Sequence, residues 1–124
     1  MAGEALILPG FSFPDYVRKA VVMSVHPGCE IEYERRHRPI WPELEAVLKA
    51  HGVHNYSILL DTATRTLFAH PEIEDEARWA AIAATPECQK WWRHRGDVRP
   101  SNPDRSPAAR DLQETLQFYW FSVI

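Results

Sequence analysis

The chain has 124 residues, 45% of them hydrophobic and 25% charged, with a formal net charge of −3 at pH 7. That length supports one domain with a modest core, and the composition is that of an ordinary globular protein. The charge balance gives no electrostatic basis for a nucleic-acid or membrane-surface partner. Cys29 and Cys88 show neither CxxC nor zinc spacing, so free thiols and a cytoplasmic setting are expected.

Residues 1–16 hold Leu6-Ile7-Leu8 but no basic segment and no long apolar run, with Pro9, Gly10 and Pro14 close by. They read as an irregular N-terminal arm rather than a secretory signal or a span, which leaves residues 17–124 as a single domain. Val17 to Val25 is rich in β-branched residues and stops at His26-Pro27-Gly28, as a strand before a turn does. Cys29 to Ala50 has helical apolar spacing through Ile31, Ile40, Leu44, Val47 and Leu48, broken where Pro39 and Pro42 fall. Gly52 follows as a helix stop. Val53 to Leu60 and Thr66 to Ile73 form a predicted hairpin across Asp61–Arg65, although Pro71 removes a ladder donor from its second strand. Glu74 to Ala84 reads as helix, and Thr85-Pro86 starts another with Thr as cap and Pro in the first turn. After a Pro/Ser/Asn loop over residues 99–108, Leu112 to Val123 reads as a last apolar strand.

Strand, helix, strand, strand, helix, strand is the split βαβ order of a ferredoxin-like α+β subunit, with helices on one face of an antiparallel sheet. The other face needs cover where it is apolar. A second copy of the chain is the simplest cover, so a homodimer closing a dimeric α/β-barrel is expected.

Tyr33 and His37 stand four residues apart on the helix that ends before Pro39, so a phenol and an imidazole share one face. Imidazole both donates and accepts a proton near neutrality, which makes His37 a candidate acid/base. Its place in the last helical turn predicts a modest upward push on its pKa from the terminal carbonyls. Trp91 and Trp92 offer indole faces, though neighbours on a helix point about 100° apart, so both meet one pocket only where it wraps the helix. Taken alone, these residues have plainer roles: a helix-end histidine for His37, packing for Tyr33, and core or interface aromatics for Trp41, Trp79, Trp91 and Trp92. Neither His51 and His54 nor the other histidines have HExxH or HxxEH spacing, so no metal is expected. The basic run Arg35 to Arg38 interleaves with Glu30, Glu32 and Glu34 as a solvated helix face, which argues against nucleic acid.

The run Tyr33-Glu34-Arg35-Arg36-His37-Arg38-Pro39-Ile40-Trp41-Pro42-Glu43-Leu44 closely resembles the L-rhamnose mutarotases. So do His51-Gly52-Val53-His54-Asn55-Tyr56, Leu67-Phe68-Ala69, Cys88-Gln89-Lys90-Trp91-Trp92 and Asn102-Pro103-Asp104-Arg105-Ser106-Pro107. The resemblance implies a dimeric barrel of ferredoxin-like subunits that interconverts the α and β anomers of L-rhamnose without a metal or organic cofactor. It implies His37 as proton donor and Tyr33, Tyr56, Trp91 and Trp92 as sugar contacts. Arg95 and Arg99 depart from the pattern, standing where Met is expected, and would make one wall of the pocket more polar. Mutarotation moves one proton off the anomeric hydroxyl and one onto the ring oxygen, work for an acid/base group alone. Tyr33 suits holding a hydroxyl, and the indoles suit the apolar ring face and methyl group of a 6-deoxy sugar. Two other readings are a monooxygenase on the same dimeric barrel, which would need a tight apolar pocket, and a non-catalytic sugar-binding protein.

Overall fold

The computed structural model describes residues 16–116. Two short strands, β1 (Val17–Arg18) and β2 (Val21–Ser24), precede helices α1 (Glu30–His37) and α2 (Pro42–Ala50). A hairpin of β3 (Val53–Asp61) and β4 (Thr66–Ile73) comes next. Helix α3 (Glu76–Ala81) then runs into a 3-10 turn, Ile82–Ala84, and α4 (Pro86–Arg95) follows. After an irregular loop comes β5 (Arg110–Asp111).

Every pairing in the sheet is antiparallel. Strand β4 is central, with β3 along one side and β1 and β2 end to end along the other; β5 lies outside β2. The register runs without a shift from Val17 opposite Ile73 to Ser24 opposite Thr66. Strands β1 and β2 are therefore one broken strand, and the connectivity is that of the ferredoxin-like α+β fold.

The cause of the break is Pro71. Lys19 N–H donates to the Pro71 carbonyl at 3.0 Å, but proline has no N–H to return. The His70 side chain takes the place of that donor, its Nδ1 meeting the Lys19 carbonyl at 2.7 Å. The interruption expected at His70-Pro71 thus falls on the neighbouring strand, while β4 itself continues to Ile73. The last strand also differs from expectation. It starts at Arg110 and spans two residues, and residues 112–116 are not strand. Leu112 N–H makes a last bond to the Ala20 carbonyl at 2.8 Å, where the ladder reaches the gap in its partner, and Glu114 turns to Arg18 at 2.6 Å. The expected stretch from residue 117 to 123 lies outside the described residues, as does the arm up to residue 15.

Local chemistry sets the helix ends. Asp75 accepts from the Arg78 N–H at 2.8 Å and so starts α3 at Glu76, later than the sequence pattern implies. Gly52 closes α2 with φ +81°, and a Cβ there would sit 3.0 Å from the Glu74 Cβ. On β4, Leu67, Ala69, Pro71 and Ile73 are buried while Phe68 and His70 are exposed, the alternation of a sheet covered on one face. Two core clusters lie on the covered face. One joins Val25, Tyr33, Leu67 and Val98; the other joins Val53, Ile73, Ile82 and Cys88.

Candidate active site

One cavity of about 760 Å³ opens between the sheet and the helices, and His37, Tyr33, Tyr56, Trp91 and Trp92 all border it. Helix α1 supplies Tyr33 and His37 from successive turns, their rings stacked at 4.1 Å between centroids. Tyr33 is 5% exposed and anchored in the core beside Val25 and Leu67, which fixes the helix face that carries the histidine. Helix α4 brings Trp91 and, one turn on, Arg95. Strand β3 brings Tyr56.

The Arg95 guanidinium knits the site together. Its Nη1 meets His37 Nε2 at 2.6 Å and its Nη2 donates to the Tyr33 hydroxyl at 2.9 Å. It also lies over the Tyr33 ring at 4.6 Å and the Trp91 ring at 5.2 Å. Arginine has donors only, so His37 Nε2 accepts, and the ring proton sits on Nδ1, which donates to the Tyr33 carbonyl at 2.6 Å. Burial, then the Arg95 charge, and to a lesser extent that of Arg99, lower the His37 pKa from 6.5 to about 4, against a smaller upward push from the Tyr33 carbonyl. The upward shift expected from the helix end is thereby overturned. The carbonyl acts in the expected direction, but desolvation and two buried cations outweigh it.

Trp91, 4% exposed, sets its edge against His37 at 5.5 Å and against Trp41 at 4.9 Å. Trp92 packs instead on the Val53–Ile73–Ile82–Cys88 cluster. Both border the cavity because it wraps around α4, as the angle between neighbouring helical residues requires. Tyr56 is 41% exposed as a residue, yet protein crowds its hydroxyl and desolvation pushes its pKa up to about 12, so it stays a neutral phenol. Trp79, assigned to the core or an interface from sequence, lies 6.0 Å from Tyr56 and borders the cavity as well.

In the sequence Arg95 and Arg99 are departures from the family pattern and part of a basic run, Lys90 to Arg99, suited to steering anions or partners; in the structure both line the cavity and both are buried. The signal for Arg95 was its place one turn after Trp91 on the same helix face. Arg99 had no such signal, because it follows the helix in irregular chain. Its position comes from Val98, whose carbonyl accepts from His26 N–H at 2.8 Å and whose side chain joins the core. Among the described residues, no group of three or more His, Cys, Asp or Glu side chains could hold a metal ion. The assembled parts are a neutral imidazole with an acceptor nitrogen, a phenol beside it, and indole walls.

This fold is shared widely. A protein from Bordetella bronchiseptica, described as an antibiotic biosynthesis monooxygenase, superposes with a TM-score of 0.60 at 15% identity, over 82% of this chain and 98% of its own. Such a likeness shows a ferredoxin-like α+β protein, and the fold alone. The family is defined by sequence. The L-rhamnose mutarotase family model matches residues 18–120. An L-rhamnose mutarotase of Opitutus terrae is 74% identical over 100 residues, covering 81% of this chain and 96% of the relative. Another from Escherichia coli K12 is 60% identical over the same shares. The crystal structure of an L-rhamnose mutarotase from Formosa agariphila superposes with a TM-score of 0.77 at 35% identity, over 83% of this chain and 99% of that one. The chain belongs to the L-rhamnose mutarotase family.

Proposed function

We propose that the chain is an isomerase that interconverts the α and β anomers of L-rhamnose, with His37 as its acid/base. The observation that supports this most directly is the His37 Nε2 atom, an acceptor held beside the Tyr33 hydroxyl in a cavity walled by Trp91 and Trp92. In the proposed cycle the anomeric hydroxyl displaces Arg95 at Nε2 and gives up its proton there. The C1–O1 bond becomes a carbonyl as C1–O5 breaks, its electron pair passing to the ring oxygen. The imidazolium then returns the proton to that oxygen, a transfer favoured by a pKa as low as about 4. Rotation about C1–C2 and the reverse steps close the ring on its other face.

Tyr33 and Tyr56 hold sugar hydroxyls through their phenol groups, and the indoles of Trp91 and Trp92 pack on the apolar ring face and methyl group. The cycle uses no metal and no cofactor. We also infer a cytoplasmic homodimer. Cys29 and Cys88 are free thiols, which suits a reducing compartment, and an apolar stripe lies on the uncovered sheet face. No helix among the described residues is long and apolar enough to cross a membrane.

Saturation-difference NMR of L-rhamnose tests the reading. The wild type should accelerate α–β exchange, and His37→Ala, folded by circular dichroism, should lose roughly 10²–10⁴-fold of that acceleration. Binding of L-rhamnose without acceleration would make the chain a sugar-binding protein, and acceleration unchanged in the variant would remove His37 from the cycle.

A further inference from the structure

Arg99 is 1% exposed, and no acceptor among the described residues meets its Nε, Nη1 or Nη2. Arg95, 5% exposed, spends two donors on Tyr33 and His37 and keeps Nε–H unmet. Several other guanidinium groups find carboxylates: Arg35 meets Glu32, Arg36 meets Asp97, Arg38 meets Glu34 and Arg78 meets Glu74. Two carboxylates border the cavity, Glu30 and Glu34. Glu34 is turned to Arg38 at 3.3 Å, and among the described residues no ion pair joins either glutamate to Arg95 or Arg99.

Two like charges buried side by side are costly, since desolvation and mutual repulsion add. Burial and the Arg95 charge lower the Arg99 pKa to about 10, leaving it a cation at neutral pH. A neutral sugar hydroxyl would satisfy some of the unmet N–H groups but leave both charges uncompensated. An oxyanion satisfies donors and charge together, and a guanidinium fork matches a carboxylate through two parallel bonds. Beside His37, Arg38, Ser57 and the two glutamates, most of the remaining cavity wall is aromatic and aliphatic, including Trp91, Leu44 and Ile58, a surface for the apolar face of a sugar ring. A ligand with both features is a pyranose that carries an acidic group.

Building on the reading of this cavity as an anomer-exchange site, we propose that it accepts acidic pyranoses, with a ring-borne carboxylate held by the free N–H groups of Arg99 and the Nε–H of Arg95. The specificity of this chain then reaches beyond neutral 6-deoxy sugars. The inference rests on two buried guanidinium groups that no carboxylate among the described residues pairs, and on the apolar wall they share.

Matched sugars that differ only at C6 test it: D-glucuronate against D-glucose, and D-galacturonate against D-galactose, all at one ionic strength set with sodium chloride. Thermal unfolding of the wild type should shift upward with at least one uronate and not with its neutral counterpart. Titration of the tryptophan indole N–H resonances should give saturable binding of that uronate, roughly tenfold or more weaker in Arg99→Met, as loss of hydrogen bonds to a charged group implies. The variant should also melt higher than the wild type in buffer alone, because an unpaired buried charge is gone. Inorganic phosphate separates the sources of the oxyanion. If phosphate gives the full shift and neither uronate exceeds it, the site takes free anions and the acidic-sugar proposal fails. No shift with any anion overturns it too, and the indole titration of the wild type decides even if the variant does not fold. Exchange of L-rhamnose is read on the same samples. Its absence would sink the anomer-exchange reading and leave uronate binding to stand or fall separately.

Discussion

In the proposed cycle His37 faces two opposing demands. As a base it must be neutral, and as an acid it must release its proton readily. Its burial, with Arg95 Nη1 held at 2.6 Å from Nε2, lowers the pKa to about 4, which keeps the ring neutral and makes the imidazolium a ready donor while weakening the imidazole as a base. The sign for activity follows directly. Only the neutral ring accepts the anomeric proton, so activity is retained as pH falls until the ring protonates, and a lower pKa carries activity to lower pH. The acid limb of kcat/KM for L-rhamnose should therefore have its midpoint near pH 4, not near the unperturbed value of about 6.5. Arg95→Met removes both the donor and the nearest buried cation, and the midpoint should move upward toward 6.5. NMR exchange rates across pH 3.5–8, corrected for the uncatalysed reaction, measure both limbs. A wild-type midpoint already at 6–7 would contradict the neutral-imidazole cycle.

At the scale of elements, α4 matters most, because Trp91, Trp92 and Arg95 all ride on it. Its start is fixed by Thr85, whose hydroxyl oxygen accepts from the Cys88 N–H at 3.2 Å and donates to the Ile82 carbonyl at 2.7 Å. Thr85→Ala should cost about 1–2 kcal/mol of stability in urea unfolding, with Thr85→Ser recovering most of it. That cap, the break before Pro42 and the stop at Gly52 were legible in the sequence because each depends on a single local residue type. The ends of the sheet were not. The gap at Lys19–Ala20 comes from a proline on the neighbouring strand, and β5 stops where its partner stops, so both are consequences of pairing that no one-strand pattern contains. The site divides along the same line. Tyr33, His37, Trp91 and Trp92 stand in runs that resemble the family, whereas the depressed pKa of His37 arises from burial by the folded chain and then from Arg95, 58 residues away in sequence.

For the whole molecule, the decisive feature is the sheet face turned away from the cavity. Leu59, 60% exposed, is the direct cross-strand partner of Phe68, 41% exposed. Phe68 in turn faces Val22 on its other side. Period-two alternation puts all three on one face, an apolar stripe that runs across β3, β4 and β2 in the middle of the sheet. Charges flank it at the rim, with Glu72 and Asp61 on the same two strands. A stripe of this kind in water favours association, and a two-fold axis lets each copy lay its own stripe on the other's. Leu59→Glu and Phe68→Glu each place a like charge against its own symmetry mate across such an axis, where burial makes repulsion severe. Light scattering behind size exclusion should then give a dimer mass for the wild type and a monomer mass for either variant, with far-UV circular dichroism unchanged. The cavity lies on the opposite face of the sheet, so the helical site stays assembled in the monomer, and binding of L-rhamnose to the Glu variants would show that the two faces act separately. A wild type that runs as a monomer at micromolar concentration would leave the stripe as ordinary exposed surface.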